Sequence, residues 1–231
     1  MPIAEQDTWQ SQYESDGYGV LGAFLSPTEV AEALTECDRL AATVKGRTES
    51  HGGFNLEAPE GGYGSQSGGG ASYPGVLRKV QDVVDHSAFF RDLSNQPRFI
   101  ERVQPLVGRP VELKTSVLWY KPAHVGSAKP WHQDAAYLDA ATGPYQVSVW
   151  IALDAATEEN GCLQFLPRSH SAGAIAHEGS EPQLTVEPRS VVVCELAPGA
   201  AVLFSALTLH ASEENRSPNP RRAVMYRFGP A

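Results

Sequence analysis

The sequence predicts an all-β core flanked by helices on its N-terminal side, in the form of a sandwich or a jelly roll. Three observations lead there. Up to Gly108 the apolar residues recur at helical steps or give way to a glycine-rich stretch, whereas beyond it the period falls toward two. The segments that follow are short, rich in β-branched and aromatic residues, and separated by Gly, Pro, Asn or Asp. Many short strands of this kind are best protected as two packed sheets or a closed barrel.

The first clear helix spans residues 26–46. Ser26, Pro27 and Glu29 supply a cap, a first-turn proline and a capping-box carboxylate, and Gly46 supplies a stop. Val30, Leu34, Cys37, Ala41 and Val44 form its apolar stripe, which puts the Cys37 thiol in the core. Residues 47–74, centred on a glycine- and serine-rich run at 61–70, read as a long loop. With Phe54, Leu56 and Tyr63 available to cover an apolar ligand, it is either a lid or a solvated insertion. Helical patterns return at 87–93 and 97–106. Strands are expected at 111–120, 146–153, 163–166, 190–196, 201–204 and 223–228. No linker divides the chain, so residues 1–231 are read as a single domain, with 1–108 as helical support and glycine-rich loop and 109–231 as the β core.

Composition excludes several classes. Asp and Glu number 27 against 18 Lys and Arg, a net charge of −9, so a phosphate backbone meets repulsion and nucleic acid is not an expected partner. No apolar run approaches the roughly 20 residues of a membrane span. Cys37, Cys162 and Cys194 are odd in number and lack any C-x-x-C spacing, which argues against a disulfide framework or a structural zinc cluster. The N-terminus carries no basic-then-apolar leader, and the expected location is cytoplasmic.

Of seven histidines, two have a chemical context. In Trp131-His-Gln-Asp134 an imidazole and a carboxylate stand two residues apart, and in extended backbone both leave the same face. His210 ends an apolar run that a jelly roll can return beside that pair. Two imidazoles and one carboxylate on one side of an ion leave three octahedral positions open, which suits non-haem Fe(II) and oxygen chemistry. H-x-D also arises by chance, so spacing alone leaves a structural role open.

A wider set of segments carries a resemblance. Trp119-Tyr-Lys-Pro122, Trp131-His-Gln-Asp134, Val147-Ser-Val-Trp-Ile-Ala-Leu-Asp154, Glu159-Asn-Gly-Cys-Leu163, Pro167-Arg-Ser-His170 and His210-Ala-Ser212, followed by Asn215-Arg-Ser-Pro-Asn-Pro-Arg-Arg222, occur in this order. The chain thereby resembles the phytanoyl-CoA dioxygenase family of Fe(II)- and 2-oxoglutarate-dependent oxygenases. The resemblance implies a double-stranded β-helix (a cupin-like jelly roll), Fe(II) held by His132, Asp134 and His210, and 2-oxoglutarate and O2 as cosubstrates. It puts Arg221, eleven residues after His210, on the distal carboxylate of 2-oxoglutarate, where a planar guanidinium fork fits best. Strand alternation instead groups Arg222 with the apolar Val224, Tyr226 and Phe228, so Arg222 is the rival.

The same resemblance assigns Ser212 and Trp150 to the cosubstrate pocket, with turn and core-packing roles as their alternatives. Thr115 and Trp119 share a strand face and are expected to line the site, Thr115 near the cosubstrate and Trp119 near the substrate. Gln133 and Tyr137 are candidate substrate contacts. Arg168 stands where the family usually has glycine, which puts the shape of that turn in question; His170 is read as a loop residue. The implied reaction is hydroxylation of a C–H bond in a small or medium-sized molecule, with release of succinate and CO2. Desaturation, cyclisation, epimerisation and epoxidation share its early steps, while the carboxylate of Asp134 argues against halogenation. A non-oxygenase metal-binding cupin-like protein (an isomerase, hydrolase or sensor) and a silent binding module are the rivals; Arg221 is the residue they do not require.

Overall fold

The computed structural model describes residues 3–58, 73–178, 181–182 and 187–231. Two antiparallel sheets face one another. The major sheet has the order β1-β11-β6-β13-β4-β3-β2 and the minor sheet the order β10-β7-β12-β5. In chain order the strands are β1 (Tyr18–Leu21), β2 (Phe54–Leu56), β3 (Leu77–Gln81), β4 (Val111–Lys121), β5 (Lys129–His132), β6 (Val147–Ala152) and β7 (Leu163–Phe165). They continue with the short pair β8 (His177–Glu178) and β9 (Glu181–Pro182), then β10 (Val192–Cys194), β11 (Ala201–Ser205), β12 (His210–Ser212) and β13 (Arg221–Pro230). This is the expected jelly roll.

Period-two alternation divides the major sheet between two cores. Val147, Val149 and Ile151 of β6, Leu118 of β4, and Val224, Tyr226 and Phe228 of β13 face a helical layer. Trp150, Val117, Ala223 and Met225 point the other way and meet Leu163, Phe165 and Cys194 of the minor sheet. The helices are α1 (Ile3–Asp16), α2 (Pro27–Ala42), α3 (Val83–His86), α4 (Ala88–Ser94) and α5 (Pro97–Val107). In α2 the expected capping box is present: Ser26 N donates to Glu29 Oε2 at 2.8 Å and Glu29 N to Ser26 Oγ at 3.3 Å. Val30, Cys37 and Val44 are buried as the stripe required. The helix itself ends at Ala42 and continues as turns to Gly46.

Residues 1–108 contribute more than helical support. β1, β2 and β3 supply three of the seven strands of the major sheet. They are too short to carry a periodic signal: β1 pairs along β11, β3 along β4 and β2 along β3. Helix α1 also lacks an apolar stripe and is held through Trp9, which is buried, and Tyr13, one turn further on. Nor is 47–74 a loop throughout. Leu56 is buried in the helix-side core and Phe54 packs edge-on against His86 with ring centroids 4.9 Å apart. Tyr63 and the glycine run 61–70 lie outside the described residues. Among those described, no helix is long and apolar enough to cross a membrane.

Candidate active site

β12 pairs with β5 so that His210 and His132 are directly opposite, and their ring centroids lie 4.1 Å apart. Each imidazole uses Nδ1 on the carbonyl two residues earlier: His132 on Pro130 O and His210 on Thr208 O, both at 2.9 Å. A carbonyl only accepts, so both Nδ1 atoms carry the proton and both Nε2 lone pairs are free to bind an ion. Asp134 opens the 3-10 turn Asp134–Tyr137. Its Oδ1 lies 3.6 Å from His132 Nε2 and 3.9 Å from His210 Nε2, and one ligand atom from each of the three residues falls within 4.8 Å of the others. Burial holds both imidazoles below their ordinary range, His210 at about 3. Burial opposes the charge on Asp134, but Arg227 and the two imidazoles outweigh it and keep the carboxyl well below the usual range. Neutral imidazoles beside an ionised carboxylate are the protonation states that bind a divalent cation.

The second oxygen of Asp134 is fully engaged. Oδ2 receives Arg227 Nη2 at 2.6 Å and Ser148 Oγ at 3.2 Å, and Arg227 and Ser148 are register partners on β13 and β6. Sequence reasoning missed Arg227. The signal was available, because Arg227 lies on the same alternation face as Arg221 and an arginine facing the inter-sheet core requires a counter-ion.

A cavity opens beside the three ligands, and Trp119, Trp150, Ser212, Arg221 and Met225 are among its walls. Arg221 is 3% exposed and its guanidinium sits 5.2 Å above the Trp150 ring. Arg222 turns to the helical layer, where Asp154 accepts from Nε at 2.8 Å and from Nη2 at 2.9 Å and Asp38 accepts from Nη1 at 2.9 Å. The alternation that grouped Arg222 with Val224 and Tyr226 is therefore real, but that face belongs to the helix-side core. Gly161, at φ +76°, allows the turn before β7 to approach β12, since a Cβ there would lie 2.2 Å from Glu213 O.

Three of the expected site residues are not among the cavity walls. Thr115 does not border the cavity: its hydroxyl donates to Asp82 Oδ1 at 2.8 Å and accepts from Gln81 Nε2 at 3.0 Å, midway along β4. Gln133 is fully buried, with Nε2 donating to Gly173 O at 2.9 Å and Leu207 O at 2.6 Å and Oε1 accepting from Ile175 N at 2.8 Å. Its amide ties loops together. Tyr137, 49% exposed, stands outside the cavity walls and contacts two residues that form them, with Lys129 Nζ 3.2 Å from its hydroxyl and the His132 ring at 5.9 Å. Arg168 keeps the left-handed turn that glycine adopts freely, at φ +68°, and its N donates to Asp16 O at 2.9 Å.

Other cavity residues carry charge that the sequence reading did not use: Glu57, Arg78, Lys121 and Lys129. The Lys121 ammonium donates to the carbonyls of Ser127, Ser212 and Glu213, and burial pushes its pKa well down. Burial lowers Lys129 to about 7, with Asp134 resisting the shift and Arg78 and Lys79 adding to it.

Two imidazoles and a carboxylate, set between the sheets of a jelly roll beside an arginine-lined cavity, form a ligand set able to hold a metal ion in the manner of a facial triad. The chain belongs to the phytanoyl-CoA dioxygenase (PhyH) family, which it matches over residues 13–223. A probable phytanoyl-CoA dioxygenase of Caenorhabditis elegans is 28% identical over 64% of this chain and 53% of its own length. An ectoine dioxygenase of Nocardia farcinica (strain IFM 10152) is 27% identical over 94% of this chain and 76% of its own. EvdO2 from Micromonospora carbonacea var. aurantiaca, solved complexed with 2-oxoglutarate, superimposes with a TM-score of 0.73 at 26% identity, covering 100% of this chain and 91% of that one. The chain spans about half the length of the phytanoyl-CoA dioxygenase relatives it matches.

Proposed function

We propose that this chain is a non-haem Fe(II)- and 2-oxoglutarate-dependent dioxygenase that hydroxylates a C–H bond of a small or medium-sized metabolite, releasing succinate and CO2. The observation that carries the reading is the convergence of His132, Asp134 and His210 with Arg221 and Ser212 on one cavity. A metal sensor or isomerase has no use for a buried arginine held over an indole on the cavity beside its ligand set. Fe(II), 2-oxoglutarate and O2 together supply an oxidant that no side chain can.

The chain's own residues bind and orient. His132 Nε2, His210 Nε2 and Asp134 Oδ1 would hold the ion, and three protein ligands would leave it able to take up cosubstrate and oxygen. Arg221 and the Ser212 hydroxyl would receive the distal carboxylate, and Trp150, under the guanidinium, would help orient it for a two-pronged pairing. Leu163, Phe204 and Met225 give the cavity apolar walls that exclude water from the reacting centre. Trp119 is the candidate contact for the primary substrate.

Anaerobic titration with Fe(II) and then 2-oxoglutarate, followed by oxygen uptake and succinate release against a metabolite panel, tests the reading. Binding of both, lost on substitution of His132 or Asp134, is expected. A chain that binds Fe(II) but not 2-oxoglutarate returns the assignment to a metal protein of another class.

A further inference from the structure

We propose that Thr208 is a positioning residue of the metal centre, which fixes the bearing of the His210 imidazole and is itself anchored on the backbone of Gly17, between α1 and β1. The inference rests on the ligand role of His210 in the oxygenase reading and adds the device that sets that ligand.

The two imidazoles bond alike, but their acceptors are held differently. His132 uses Pro130 O, and both residues lie on β5. His210 uses Thr208 O, and Thr208 lies in the turn between β11 and β12, two residues before the ladder of β12 begins. Thr208 is fixed instead through its side chain. It is fully buried, and its hydroxyl donates to Gly17 O at 2.7 Å across 191 positions of sequence. Gly17 O also accepts from Ser205 N at 2.9 Å, and Thr208 N donates to Ser205 O at 2.9 Å. One carbonyl thus takes a hydrogen bond from each end of the turn that leads into His210, using both of its lone pairs. The neighbouring residues are tethered as well, Leu207 O to Gln133 Nε2 and Leu209 N to Ser169 Oγ. Only at Thr208 does one residue both hold the imidazole and carry its own anchor.

Gly17 is shaped for this contact. Its φ is +85°, and a Cβ there would lie 2.5 Å from Thr208 Oγ1 and 2.5 Å from His170 Nδ1, so glycine is what lets its backbone come this close in that conformation. From Gly17 the chain runs on as β1 along β11, with Tyr18 opposite Phe204, which ties the anchor to the major sheet. The N-terminal helix and strand therefore reach the metal centre through one hydroxyl. The acceptor of the far ring nitrogen sets the direction and basicity of a metal-binding imidazole, so loosening Thr208 should be felt at His210 Nε2.

Four variants test this. Thr208→Val keeps the shape and removes the donor, Thr208→Ala is the second such variant should the first not fold, and Thr208→Ser keeps the donor. Tyr226→Phe is the control, because it removes another buried hydroxyl-to-carbonyl bond, to Phe90 O in the helix-side core. Nitrogen NMR of the imidazoles in the metal-free chain reports the Nδ1 proton of His210, and anaerobic titration reports Fe(II) affinity. Thr208→Val and Thr208→Ala should exchange that proton faster than the wild type and bind Fe(II) about tenfold more weakly, with the His132 proton unchanged. Thr208→Ser should return both readings toward the wild type, and Tyr226→Phe should lower stability while changing neither. Wild-type exchange and affinity without the Thr208 hydroxyl, failure of Thr208→Ser to recover them, or an equal loss in Tyr226→Phe overturns the proposal. Should the wild-type chain fail to bind Fe(II), the oxygenase reading falls, and the exchange of the His210 proton in the metal-free chain still decides whether Thr208 sets the imidazole.

Discussion

Arg227 Nη2 stands 2.6 Å from Asp134 Oδ2, so a carboxylate presented just after a strand of the minor sheet is oriented by a guanidinium from β13, the central strand of the major one. With Oδ2 occupied by Arg227 and Ser148, Oδ1 is the oxygen left to face the imidazoles. Arg227→Met should weaken Fe(II) affinity by roughly 10- to 100-fold, the usual cost of losing an orienting partner of a metal ligand. Because an ionised carboxylate is left buried, stability should fall by about 3–5 kcal/mol in the metal-free chain. Anaerobic titration and chemical denaturation measure the two effects; unchanged affinity would mean that Asp134 is oriented by its turn alone.

The two kinds of ligand should behave differently on removal. His132→Ala is expected to abolish Fe(II) binding with modest loss of stability, since the close hydrogen bond of its ring is to a carbonyl within its own strand. Asp134→Ala should lose binding and also about 3–5 kcal/mol, because it strands Arg227 in the inter-sheet core. Equal stability of the two variants, compared without metal, would contradict the pairing.

Adjacent arginines give the sharpest contrast. Arg221→Ala should raise the concentration of 2-oxoglutarate needed for binding by tens-fold or more, corresponding to about 2–5 kcal/mol for a buried charge pair. Arg222→Ala should leave that concentration nearly unchanged and destabilise the fold by about 1–3 kcal/mol, through loss of the charged hydrogen bonds to Asp154. Isothermal titration with the metal-loaded variants separates these outcomes, and a larger binding effect at Arg222 would reverse the assignment.

Glu29 provides a pH test away from the site. Its hydrogen bond from Arg98, helped by the Ser26 cap and opposed by burial, lowers its pKa from 4.5 to about 2. A folded-state pKa below the unfolded one means that this stabilisation is complete above about pH 4.5 and is lost as pH falls toward about 2. The group is partly solvated, so the contribution is about 1 kcal/mol. Glu29→Gln should lower Tm at neutral pH and flatten its decline over that acidic window; parallel Tm curves for the two proteins would exclude the link.

Much of this protein was legible in one dimension because it depends on local order. The capping box at Ser26 and Glu29, the change of period after Gly108, and the two-residue spacing of His132 and Asp134 are set by backbone geometry and require no distant partner. The ordered segments from Trp119 to Arg222 identified the family for the same reason. Strands β1, β2 and β3 were not legible, since each is stabilised by an edge supplied from elsewhere in the chain. Only the tertiary structure decided which side of β13 faces the cavity, because both of its sides are buried and alternation cannot tell one core from the other. That decision places Arg221 over Trp150 and Arg222 against Asp154. It also brings Arg227 to Asp134 and closes Gln133 inside a set of loop carbonyls. These are contacts between residues far apart in sequence, where a side chain's role depends on what the fold sets opposite it.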